Sequence, residues 1–164
     1  MNPTDKISKY VSYKEITYSP TAIKNGIDNT PTEKQLENIK IAATKIFDPL
    51  REWVGNHVKI NSCFRSVKLN KKIGGANSSQ HLANNGAAFD IDDDYKHKTN
   101  KEMFFYIWEN LEFDQLIYEF GNDTNPDWIH FSYNEGKNRK EVLRSKTVNG
   151  KTQYIKVNPG DIKK

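Results

Sequence analysis

Asp90 stands inside a run of apolar residues, Ala87-Ala88-Phe89-Asp90-Ile91, and this constrains the fold more than any other feature of the chain. A run this short and apolar reads as a buried strand. A carboxylate inside such a strand is costly unless something positive compensates it. His81 lies just upstream, across a loop holding Asn84, Asn85 and Gly86, and His130 lies in a second strand pattern, Trp128-Ile129-His130-Phe131-Ser132. Two imidazoles and one carboxylate form a three-ligand set with an open fourth position, the arrangement of a catalytic zinc. His81, Asp90 and His130 are therefore the candidate ligands of a Zn2+ ion. On residue types alone an alternative stands, two core histidines and a hydrogen-bonded aspartate.

The rest of the composition narrows the class. A chain of 164 residues is expected to form one domain with a real core. The hydrophobic fraction is low at 35%, but 8 Phe, 8 Tyr and 3 Trp argue against disorder. No apolar run approaches the roughly 18 residues of a membrane span, and MNPTDKISKY has no apolar core of a signal peptide. Synthesis in the cytoplasm without a signal peptide is the expectation. The single Cys63 excludes an internal disulfide and a cysteine-based zinc knuckle. Charge is uneven: residues 134–164 carry nine Lys or Arg against three Asp or Glu, within a total of +4. That basic stretch suits an anionic polymer or simply a solvated surface. No nucleic-acid motif accompanies it, so no nucleic-acid partner is expected. Oligomeric state is not legible.

Residues 1–31 read as a wrapping arm, with Ser19-Pro20-Thr21 opening a short helix that Asn25-Gly26 ends. Thr32 and Gln35 form a capping box for a first long helix, whose buried face runs Leu36, Ile39, Ala43, Ile46, Phe47, Leu50 and Trp53. Pro49 is expected to kink or interrupt it near Asp48. A strand over residues 57–62 leads to Cys63-Phe64-Arg65-Ser66 and a short helix through Leu69 and Ile73. Thr99 and Glu102 box a further helix with Met103, Phe104, Ile107, Trp108 and Leu111 buried. Strands follow over 115–120 and 128–133, then a basic hairpin and tail over 134–164 that turns at Asn149-Gly150.

The segment INSCFRSVKLNKKIGGANSSQH, the set Ser79, His81, Gly86, Ala88 and Asp90, and the later Asp127-Trp128-Ile129-His130 together resemble zinc peptidases that trim peptidoglycan peptides. That family includes D-alanyl-D-alanine carboxypeptidases and dipeptidases and phage endolysin peptidases. Residues 65–75 are most similar to its phage and prophage branch. Two departures stand out. Asn84-Asn85 lengthens the loop between His81 and Asp90, which leaves Asp92 as a fallback ligand, and Cys63 replaces a family glycine.

The resemblance implies one α+β domain spanning 1–164, hedgehog-like, with an antiparallel sheet carrying the zinc site and helices flanking it. It implies Zn2+ on His81, Asp90 and His130, and Asp127 as the general base, with Glu119 its rival. Arg65 would stabilise an oxyanion or hold a substrate carboxylate. Ser79 would contact the substrate or a ligand. The function implied is hydrolysis of a peptide bond in bacterial peptidoglycan, as a carboxypeptidase or endopeptidase, by a phage- or prophage-encoded enzyme reaching the wall after release or virion delivery. The alternative from another class is a non-catalytic zinc domain that binds wall or virion.

Overall fold

The structure, a computed structural model, describes residues 1–158 and 160–163. Short polar side chains ahead of the helices accept the free N–H groups of their first turns. Ser12 and Glu15 form a capping box on α1 (Tyr13–Thr17), and Ser19 caps α2 (Pro20–Lys24), whose first turn holds Pro20. Thr32 and Gln35 box α3 (Glu33–Ala42), which runs on through a π-helical turn, Ala43–Phe47, into α4 (Asp48–Val54). The expected interruption at Pro49 is thus a widening and not a break. The proline ring lacks an N–H and crowds the carbonyl four residues back, at Lys45, and the wider turn relieves both. Ser66 caps α5 (Val67–Lys72), and Thr99 with Glu102 boxes α6 (Asn100–Asn110).

Six strands form one sheet: β1 (Lys59–Ser62), β2 (Ala87–Asp92), β3 (Gln115–Glu119), β4 (Trp128–Tyr133), β5 (Glu141–Val148) and β6 (Lys151–Lys156), in the order β1-β2-β4-β3-β5-β6. The expected antiparallel arrangement holds across β1, β2, β4 and β3, the strands that carry the site, and again between β5 and β6. Between β3 and β5 the strands run parallel, so the sheet is mixed. β4 returns the chain along one side of β3, and residues 134–140 then carry it past the start of β3 to the other side. A buried carboxylate clamps that crossing: Asp114 accepts from the Arg139 backbone N–H at 2.9 Å and from its Nε and Nη2 at 2.9 and 2.7 Å.

Alternation along the strands separates two faces. Phe89 and Ile91 of β2, Leu116 and Tyr118 of β3, and Ile129 and Phe131 of β4 point into the core, where they meet Ile39, Ile46, Phe47 and Leu50 of the long helix and Phe104 and Ile107 of α6. Their neighbours, Asp90, Ile117, Glu119, Trp128 and His130, therefore occupy the opposite face. The N-terminal residues brace the loop that crosses this second face. Phe64 N–H donates to the Ile16 carbonyl, and the Asn29 side chain donates to Phe64 O and accepts from Ser66 N–H.

Candidate metal centre

Asp90 and His130 are direct cross-strand partners on β2 and β4, so their side chains stand side by side on the second face. His81 comes from the 3-10 turn Gln80–Leu82, whose preceding residue Ser79 accepts from His81 N–H at 3.3 Å. Two bonds join this turn to the end of β1: Arg65 N–H donates to the His81 carbonyl at 2.8 Å, and His81 Nδ1 lies 2.6 Å from the Cys63 carbonyl. A carbonyl can only accept, so Nδ1 carries the proton and Nε2 presents its lone pair to the site. That Nε2 lies 3.2 Å from Asp90 Oδ2, while His130 Nδ1 lies 2.9 Å from Oδ1.

The ligand-type atoms of His81, Asp90 and His130 all fall within 4.8 Å of one another, and all three residues are buried. This donor set, two imidazoles and a carboxylate converging in a buried site, fits zinc. Burial alone would push the Asp90 carboxyl up, but the two imidazoles facing it outweigh that and hold it far below the usual carboxylate range. Burial pulls His81 down, with Asp90 opposing, which favours the neutral ring that a metal requires. The fallback Asp92 is outside the cluster. Its carboxylate accepts from Asn100 Nδ2 at 3.0 Å and Asn61 Nδ2 at 3.2 Å. The extra Asn84 and Asn85 are exposed at the tip of the loop, and the strand beyond them keeps its register with β4.

The centre opens into a cleft of about 700 Å³ lined by Arg65, Ser79, Gln80, His81, Asp90, Glu119, Trp128, His130 and Tyr154, among others. Arg65 donates from Nη2 to Asp90 Oδ2 at 2.8 Å and from Nε to Ser62 Oγ at 3.0 Å. Its remaining guanidinium N–H groups are left to face the cleft. Ser79 lies on the cleft rim but uses its hydroxyl to shape the turn behind His81.

The two candidate bases are placed differently. Glu119 is two residues from Ile117, which pairs with His130, so it shares the His130 face. It is 5% exposed, and its Oε2 accepts from Ser145 Oγ at 2.5 Å. Asp127 is exposed at the mouth of the Gly121–Asp127 loop, on the residue before β4, and does not line the cleft. His57 and His97 are exposed, and Cys63 is buried with its thiol pushed well up by that burial, so no thiolate is on offer. Ser145 and Tyr154 join the site without a motif to announce them. Their signal is the hairpin register, which the Asn149-Gly150 turn sets by pairing Val148 with Lys151 and hence Ser145 with Tyr154.

Burial raises the Glu119 carboxyl above its ordinary value, with the Ser145 bond opposing. The fold therefore disfavours the ionised form, and the stability that Glu119 contributes is lost as pH rises through its raised folded value. In metal-free protein, Glu119→Gln should gain in Tm over wild type between pH 4 and pH 8. Calorimetry at both pH values checks this, and a difference that shrinks on going to pH 8 contradicts it.

A family model described as Peptidase M15 matches residues 9–132, about three quarters of the chain. A search of curated proteins found no match. Among the described residues, no helix is long and apolar enough to cross a membrane.

Proposed function

The chain belongs to the Peptidase M15 family of zinc metallopeptidases acting on peptidoglycan, and from that premise we propose that it hydrolyses a peptide bond of the peptidoglycan stem with Glu119 as general base. The observation that carries this reading is Glu119 itself, a carboxylate buried on the floor of the cleft, on the His130 face but outside the cluster of metal-type ligands. His81, Asp90 and His130 would hold the zinc. A zinc ion there supplies Lewis acidity, drawing electron density from a water and from the substrate carbonyl.

The chain's own groups do the rest. Glu119 takes the proton of the attacking water and returns it to the leaving amine. A carboxyl raised above its ordinary value by burial suits both directions of transfer. Ser145 fixes the Glu119 carboxylate by donating to Oε2, so the other oxygen is left for the water. Arg65 offers its spare N–H groups to the oxygen that gains charge as the carbonyl becomes tetrahedral. Trp128 gives the cleft an apolar wall beside Glu119. The likeness of residues 65–75 to the phage and prophage branch supports that origin, with access to the wall after release or from a virion.

Mass spectrometry of defined muropeptides after incubation with zinc-loaded protein tests the reading. The expected result is a new product mass for loss of one D-alanine or for scission within the stem, abolished by a chelator and restored by zinc. Intact muropeptides after prolonged incubation would sink it.

A further inference from the structure

Residues 133–158 lie beyond the family match, yet they build one side of the cleft. The parallel register of β3 and β5 pairs Tyr118 with Arg144, which brings Ser145 beside Glu119, and β6 sets Tyr154 opposite Ser145. On the cleft face a row therefore runs Trp128, Glu119, Ser145, Tyr154, one step along the strands from the row of Asp90, His130 and Ile117. The Ser145 hydroxyl is committed, donating to Glu119 and accepting from Phe120 N–H at 2.9 Å. Tyr154 is the next donor outward.

A tyrosine settled within the fold spends its hydroxyl there, as Tyr118 does by donating to the Asn122 carbonyl at 2.6 Å. Tyr154 does not. It is 55% exposed, it lines the cleft, and among the described residues its hydroxyl has no hydrogen-bond partner. It thus presents an apolar ring with an unspent donor at the tip. Burial, followed by the carboxylates of Glu119 and Asp90, holds the phenol up, so the donor keeps its proton at neutral pH.

We propose that Tyr154 is a substrate-contacting residue whose hydroxyl donates a hydrogen bond to the bound peptide on the leaving-group side of the scissile bond. The side is set by the proposed base, on whose assignment this inference rests. Glu119 hands its proton to the leaving amine, so the leaving half of the substrate lies over β3 and beyond it, away from His81. β6 is two strand spacings from β3, roughly 10 Å, and the inward reach of the ring leaves a distance that one or two peptide residues cover. The hairpin is then the wall that reads the substrate residues on the far side of the cut.

The test measures binding apart from turnover, using a soluble stem pentapeptide titrated calorimetrically into zinc-loaded Glu119→Gln protein with and without Tyr154→Phe. Loss of one neutral donor should weaken binding about tenfold. In the protein with Glu119 intact, Tyr154→Phe should raise KM by a similar factor and leave kcat, zinc content and Tm unchanged. Equal Kd values with and without the hydroxyl overturn the proposal, as does a fall in kcat alone, which would put the hydroxyl on the transition state instead. A wild type that binds the pentapeptide without cutting it sinks the peptidase reading while the two Kd values still judge Tyr154. No binding by any of these proteins overturns both.

Discussion

Glu119→Gln is expected to lower muropeptide hydrolysis by about 10²–10⁴-fold, the usual contribution of a general base, with zinc content unchanged, while Asp127→Asn stays near wild type. Register favours Glu119 as the proposed base over Asp127. Side chains alternate along a strand, so an even step from Ile117 puts Glu119 on the face of its partner His130, and an odd step from His130 puts Asp127 on the other. Asp127 could escape this rule because β4 begins only at Trp128. The backbone holds it away nonetheless: its N–H donates to the Glu119 carbonyl at 2.9 Å and its carbonyl accepts from Asn100 Nδ2 at 3.1 Å. Wild-type kcat/KM should rise with pH as Glu119 loses its proton, and Glu119→Gln should lack this limb. An inactive Asp127→Asn beside an active Glu119→Gln would return the base to Asp127.

Local signals in the chain map directly onto structure. Thr32 with Gln35 and Thr99 with Glu102 cap α3 and α6 as their spacing predicts, because a capping box involves only four consecutive residues. Asn149-Gly150 turns the last hairpin for the same reason: both residues take positive φ, at 51° and 72°, as a two-residue turn of this type demands. The features hidden from the sequence are non-local. Nothing in residues 115–119 or 141–148 says that they lie parallel, since the pairing depends on β4 occupying the other side of β3 and on the Asp114–Arg139 clamp at the crossing. The π-helical turn at Ala43–Phe47 is legible only as a disturbance near Pro49.

The same division runs through the site. His81, Asp90 and His130 are legible as a group from their types and from the oddity of a carboxylate in an apolar run, and they do converge. Ser79 can be placed near them because it stands two residues before His81, and Arg65 only through the family resemblance. Glu119 can be named but not ranked over Asp127 without the β3–β4 register. Ser145 and Tyr154 are out of reach, because they enter the cleft only through the parallel β3–β5 pairing.

Asp90→Asn should abolish zinc uptake at micromolar metal, whereas Asp92→Ala should retain about one zinc per chain by elemental analysis. The substitution keeps the shape of the side chain and removes its charge, the one negative group within the donor cluster. Losing a ligand should cost more than the 10–100-fold that comes from disturbing a ligand's outer partners. Asp92 is two residues along the same strand, but Asn61, Asn100 and the Asp93 N–H already take up its oxygens. Zinc at a thousand times its dissociation constant should stabilise wild type and Asp92→Ala by about 4 kcal/mol, and added zinc should leave the Tm of Asp90→Asn unmoved. Asp90→Asn keeps one oxygen to accept from Arg65 and turns an amide N–H toward His130 Nδ1, so its metal-free form should still melt cooperatively, which separates loss of metal from loss of fold. If Asp92→Ala loses zinc and Asp90→Asn keeps it, the ligand is Asp92, and Asp90 would then serve only to hold Arg65 and the two imidazoles in place.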